Sequence, residues 1–217
     1  MNVVVPAHCA ERYTASRIVA FSTGNVYPLS PVTGGGCAEA ATPGPVGEYA
    51  ASCLGRERVF EHYAAHGARA AIVRLNYAID LRYGVLTDIA QRVWRGMPVS
   101  VAMGYVNVIW QGDANRVALE LLPHAESPPF VLNVTGTEVL SVRSLARQLG
   151  MRLGKEARFE GTEAPDALPS NTTRMREMFG FPETRLDVML DRVAEWVREG
   201  RPLLGKPTHF EARSGKF

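Results

Sequence analysis

An α/β fold is predicted for this 217-residue chain, with a partial parallel sheet and a smaller helix-rich region beside it. Three observations predict it. Residues 17–22 (RIVAFS) and 69–75 (RAAIVRL) are short apolar runs rich in β-formers, the pattern of buried strands. Between them lies a segment of helical length, residues 48–66, with Gly67 placed to stop it. Strand, loop, helix and strand in that order make a βαβ unit, which implies parallel pairing and a right-handed crossover. Finally, 46% hydrophobic and 21% charged residues are ordinary globular composition, enough for a sizeable core.

Residues 2–14 read as a helix, with Pro6 near an early turn where proline is tolerated. The strand at 17–22 ends in Ser-Thr-Gly-Asn, which is turn chemistry. Residues 28–47 are crowded with proline and glycine and read as one long loop, a kind that is usually functional or disordered. After the strand at 69–75 comes a helix at 86–95, ended by Gly96 and Pro98. Short strands follow at 99–103 and 105–110, then a helix at 112–122 and a strand at 130–134. Ser141 is a suitable N-cap for a helix over 142–153, and two more helices are expected at 172–179 and 186–199. The tail, 201–217, has no periodicity and is expected to wrap the surface or fray. Residues 1–80 and 105–135 are thereby assigned to the sheet-bearing part, and 81–104 and 136–200 to the helix-rich part. Their boundary, outside the carboxyl ends of the strands, is where α/β proteins hold ligands.

Bulk properties narrow the function. Net charge is +2 and no dense Lys/Arg run is interleaved with aromatics, so nucleic acid is not an expected partner. No apolar run approaches the ~20 residues that span a bilayer, so no membrane partner is expected either. Three cysteines, Cys9, Cys37 and Cys53, match no zinc or disulfide framework; reduced thiols in a cytoplasmic protein are the simplest account. His62 and His66 stand at metal-ligand spacing but lack an evident third ligand, so no metal is expected.

The chemistry is expected at two places. Ser22-Thr23-Gly24-Asn25-Val26-Tyr27 leaves the first strand, and Tyr49 lies in the first turn of the following helix. This topology brings the Thr23 and Tyr49 hydroxyls towards one point above the sheet. Cys53, one turn on from Tyr49, shares its helix face.

The run IVAFSTGNVYP, the loop, EYAASCLGRE and the strand ending RLN together resemble the extended short-chain dehydrogenase/reductase family, whose sheet is Rossmann-type. Segments around Asp113, Asn133 to Ser141, and 171–180 resemble later family motifs in the right order. The resemblance implies an NAD(P)-dependent epimerase/dehydratase-like oxidoreductase or isomerase acting on a sugar or sugar-nucleotide. Tyr49 takes the acid/base role and Thr23 the role of orienting the substrate oxygen. Ser22, Cys53 and Asn76 fall on cofactor-side positions, and Gly24, Asn25 and Asn76 on substrate-side positions. Asn76 reads equally as a polar cap of its strand.

Cys53 stands where the family carries lysine. It reads either as a small buried thiol or as a thiol that contacts cofactor or substrate, and a thiolate there would raise the Tyr49 pKa. Bringing a tyrosine from ~10 to near neutrality takes roughly 4 kcal/mol of selective phenolate stabilisation, which the family draws partly from that lysine. Gly24-Asn25 replaces the Asp-Glu of the family's dehydratases, which favours redox or epimerisation over loss of water. The family's pyrophosphate-binding glycine motif has no match in the sequence, so NAD cannot be told from NADP, and the chain is expected to be part of a longer protein, inactive alone. By analogy the family implies a homodimer. The alternative reading is an atypical member that binds a nucleotide or partner without reacting.

Overall fold

The computed structural model of the chain describes residues 1–215. Strands β1 (Arg17–Thr23), β2 (Arg69–Leu75) and β3 (Phe130–Val134) form a parallel sheet in the order β1-β2-β3. Ile18 lies opposite Ala70, and Ile72 opposite Val131. The central position of β2 explains its composition: a strand covered on both faces reads as a continuous apolar run rather than an alternating one. β1 is an edge strand with mixed exposure, and its Phe21 is 40% exposed.

Side-chain alternation along β2 divides the core. Ala70 and Ile72 point to the face covered by α1 (Val4–Arg12) and α2 (Glu48–Ala65), where they meet Ala10 and Phe60. Ala71 and Val73 point to the opposite face. There they join Val117 and Leu121, from α4 (Gln111–Glu120) and its C-cap, and Met175 of α6 (Thr173–Phe179). A separate apolar cluster holds α3 (Val85–Trp94), α5 (Val142–Leu153) and α7 (Leu186–Arg198) together through Leu86, Ile89, Leu145, Leu149, Leu190 and Val193. Asp113, buried in the first turn of α4, accepts the backbone N–H groups of Glu183 and Thr184 and so ties α4 to the approach of α7.

The terminators act as the sequence predicts. Gly67, at φ 100°, follows α2 and returns its N–H to the Ala64 carbonyl. The Ser141 hydroxyl caps α5 by accepting the Ser144 N–H at 3.3 Å. The strands expected at 99–103 and 105–110 are instead two-residue pairings. Val99–Ser100 pairs with Phe159–Glu160, Tyr105–Val106 with Leu140–Ser141, and Ile109–Trp110 with Ala78–Ile79. Asn107 interrupts the longer run: its buried amide donates to the Glu138 carbonyl and accepts the Ser170 N–H, both at 2.8 Å, fixing the backbone outside any ladder.

The tail, expected to wrap or fray, wraps. It has no regular structure through residue 215, yet Leu204 donates to the Arg82 carbonyl, Phe210 is buried in the α3/α5/α7 cluster and Arg213 pairs with Asp166. Residues 216–217 of that tail lie outside the described residues.

Candidate active site

The carboxyl ends of β1 and β2 open into a cleft of about 410 Å³. Thr23 closes β1; its hydroxyl accepts the Asn25 N–H at 3.2 Å, and this local bond starts the tight turn Gly24–Val26. Gly47, at φ 85°, turns the chain into α2 and places Tyr49 in the first turn of that helix. The Thr23 and Tyr49 side chains both face the cleft, and Thr23 is near enough to Tyr49 to favour its phenolate. Ser22, Thr23, Asn25, Tyr49 and Asn76 all line the cleft, so five of the residues expected at the site are brought together.

Two expected site residues are placed elsewhere. Gly24 lies beneath Asn76: a Cβ there would come within 2.9 Å of the Asn76 Cγ. Asn76 is buried and donates to the Leu168 carbonyl at 2.7 Å, so it has little room to turn. Gly24→Ala should therefore lower stability by about 1–3 kcal/mol through overpacking and disturb the Asn76 amide, which thermal melting and the amide NMR signals would report. Cys53 is fully buried against Val26 and Tyr27 and does not line the cleft. Its sulfur faces the Asn2 amide at 3.8 Å and the Arg56 guanidinium at 4.0 Å.

Sequence reasoning did not single out the rest of the wall. Tyr77 and Tyr83 follow β2, and Pro207, Thr208 and His209 come from the tail. The aromatic residues were visible in the sequence, but only the fold brings 207–209 back over the strand ends. Among the described residues, none of the fourteen that line the cleft is Asp, Glu, Lys or Arg, and the lining is rich in hydroxyl and amide groups.

Desolvation raises the Tyr49 hydroxyl above the usual tyrosine value, and the charge and hydrogen bond of Cys53 push the same way. The hydrogen bond with Thr23 and the charge of Arg56 oppose them. Arg56, seven residues on, thus supplies a cationic influence where the lysine is missing, although Arg58 is spent on a surface pair with Glu61. Burial also raises Tyr77, helped by Glu211, and Tyr83, helped by Asp88, so both stay protonated donors at ordinary pH.

Beneath the cleft runs a buried polar chain. Ser22 Oγ donates to Glu57 Oε1 at 2.5 Å. Glu57 receives Arg74 Nε and Nη2 at 3.0 and 2.7 Å. Arg74 Nη1 donates to the Tyr27 hydroxyl, which donates to Asn133 Oδ1, both at 2.8 Å. The guanidinium also sits 4.9 Å from the Tyr27 ring centroid. This chain binds β1, α2, β2 and β3 together under the turn that carries Thr23. Its signal was present in the sequence as an arginine inside an otherwise apolar strand.

A dinucleotide fits these residues at one end only. Ser22, Asn76 and the tyrosines could hold the nicotinamide and its ribose. Among the described residues, however, the close glycines serve the chain's own packing: a Cβ on Gly47 would meet the Gly215 carbonyl at 2.3 Å, and one on Gly36 the Pro169 carbonyl at 2.7 Å. They do not form a phosphate cradle. The His62 and His66 ring centroids lie 4.5 Å apart in a tilted arrangement, and no group of three metal-ligating side chains occurs among the described residues.

No protein-family model and no curated protein sequence matches the chain. Solved structures match its fold. MoeE5 in complex with UDP-glucose and NAD aligns with a TM-score of 0.75 at 19% identity, covering 92% of this chain and 71% of that one. The Thermus thermophilus UDP-glucose 4-epimerase in complex with NAD gives 0.75 at 20% identity, covering 91% and 70%. The Bacillus cereus UDP-glucuronic acid 4-epimerase in complex with UDP-glucuronic acid and NAD gives 0.76 at 16% identity, covering 91% and 67%. The architecture read in the sequence is matched: the chain has the Rossmann-type α/β fold of these NAD-bound proteins.

Proposed function

We propose that the protein is epimerase/dehydratase-like and takes a sugar or sugar-nucleotide into the cleft. The observation that carries this reading is the placement of Thr23 and Tyr49 together in the wall of a hydroxyl-rich cleft at the strand ends. Solved proteins of the same fold, named for UDP-sugars and NAD, support it.

Thr23 orients the substrate oxygen and Tyr49 exchanges a proton with it. Asn76 and Asn25 hold the neighbouring hydroxyls, and Gly24 leaves room for Asn76. NAD or NADP, when bound, supplies the hydride acceptor and donor, with Ser22 and Asn76 holding its nicotinamide end. Cys53, being buried, acts on Tyr49 rather than on the cofactor itself. In this reading residues 1–80 with 105–135 form the cofactor side and 81–104 with 136–200 the substrate side. Pairing of two copies and a cytoplasmic setting go with it.

A second reading, binding without turnover, is favoured by one observation: the Tyr49 hydroxyl is raised rather than lowered. Calorimetric titration with UDP-glucose, then with NAD(H) and NADP(H), followed by analysis of the converted sugar product and of transient nicotinamide reduction, separates the two. Binding with hydride transfer supports the first and binding alone the second. Failure of UDP-glucose to bind defeats both.

A further inference from the structure

Two non-glycine residues among those described have positive φ, Tyr77 at 43° and His209 at 50°, and both line the same cleft as Thr23 and Tyr49. Such backbone is sparsely populated by residues with a Cβ, and it persists only where the surroundings over-determine it. For His209 those surroundings are visible on both sides. Thr208 donates its N–H and its hydroxyl to Asp88 Oδ2 at 2.7 and 2.6 Å. Phe210 is buried in the α3/α5/α7 cluster, and Ala212 donates back to the His209 carbonyl at 2.9 Å. The segment is fastened immediately before and after the strained residue, and the residue between the fasteners borders the cleft.

We infer that the 207–210 segment is a built wall of the ligand site and that His209 is a specificity-determining residue, its imidazole hydrogen-bonding a hydroxyl of the bound sugar. The inference rests on the proposed sugar-nucleotide reading and adds a contact from the far end of the chain. Its chemistry suits the site: an imidazole both donates and accepts, as a sugar hydroxyl does, and hydroxyl and amide groups dominate the polar part of the described lining. His209 is itself exposed, so the fold does not depend on its ring.

That separation makes the test sharp. Glycine adopts positive φ without strain, so His209→Gly removes the ring and relieves the backbone together. The expected result with UDP-glucose as the probe is an affinity about tenfold weaker, the scale of one lost hydrogen bond, with an unchanged or higher Tm. His209→Asn, which tolerates the same backbone and keeps a polar side chain, should recover part of the affinity. In the wild-type chain the His209 ring signals, identified by their loss in the glycine variant, should shift as UDP-glucose is added. Unchanged affinity in His209→Gly overturns the inference, as does a weakened affinity accompanied by a fallen Tm. Ligand-induced shifts at Thr23 and Tyr49 with none at His209 defeat this inference alone, whereas no binding by the wild-type chain defeats it together with the proposed function.

Discussion

Replacing Arg74 with leucine should lower the stability of the chain by about 3–5 kcal/mol, the scale for breaking a buried ion pair from one side. Arg74 and Glu57 are 5% and 1% exposed, and the carboxylate receives two nitrogens of the guanidinium. Removing the cation leaves a buried carboxylate with only the Ser22 hydroxyl as partner and strips the Tyr27 hydroxyl of its donor. Denaturant unfolding of Arg74→Leu, Glu57→Leu and the double variant measures this. The double variant should be more stable than the sum of the two losses predicts, because it leaves no uncompensated charge. Additive losses would show that the pair does not act as a unit. Turnover or binding should suffer as well, since Ser22 stands directly before Thr23 and is held by Glu57.

The second large effect is on reaction rather than stability. In a form of the protein that binds the cofactor, Tyr49→Phe should reduce turnover of a responsive sugar-nucleotide by ~10²–10⁴-fold, the range for a general acid/base group. UDP-glucose affinity should change far less, because Tyr49 is only one of several hydroxyls in the wall. The pH profile follows from the raised Tyr49 hydroxyl. A group that titrates above ~10 is almost wholly protonated at neutral pH, so a step needing the phenolate should accelerate about tenfold per pH unit and still be climbing near pH 9. Cys53→Ala removes one of the influences that raise Tyr49 and should move that limb towards lower pH. A rate that levels near pH 7 would show that another group carries the proton.

How much of this was legible in the sequence depended on the range of the interactions involved. The sheet was legible because a doubly covered strand must be apolar throughout, and RAAIVRL is nearly so. The α2 boundary was legible because Gly67 terminates helices by a local mechanism. The Thr23–Tyr49 meeting was legible from topology together with the family motifs. Asn107 was not: nothing near it in sequence says that its amide will bond to residues 138 and 170 and break a strand. The tail was expected to wrap or fray, but its return to the cleft wall was not legible for the same reason, since Thr208 finds its partner at Asp88, 120 positions earlier. Arg74 was the intermediate case, conspicuous inside its strand, although its partner Glu57 was hidden on a helix otherwise rich in charge.

The absence of Asp, Glu, Lys and Arg from the described cleft lining has a consequence for how a ligand would be held as ionic strength changes. Added salt screens interactions between charges, with a Debye length of ~10 Å at 0.1 M, but barely touches hydrogen bonds between neutral groups. A sugar gripped by Thr23, Asn76, the tyrosines and His209 would stay bound as salt rises. Any loss of affinity for a nucleotide-sugar between dilute and concentrated buffer would then measure what its phosphates do beyond the cleft, separating the two ends of the ligand without altering a residue.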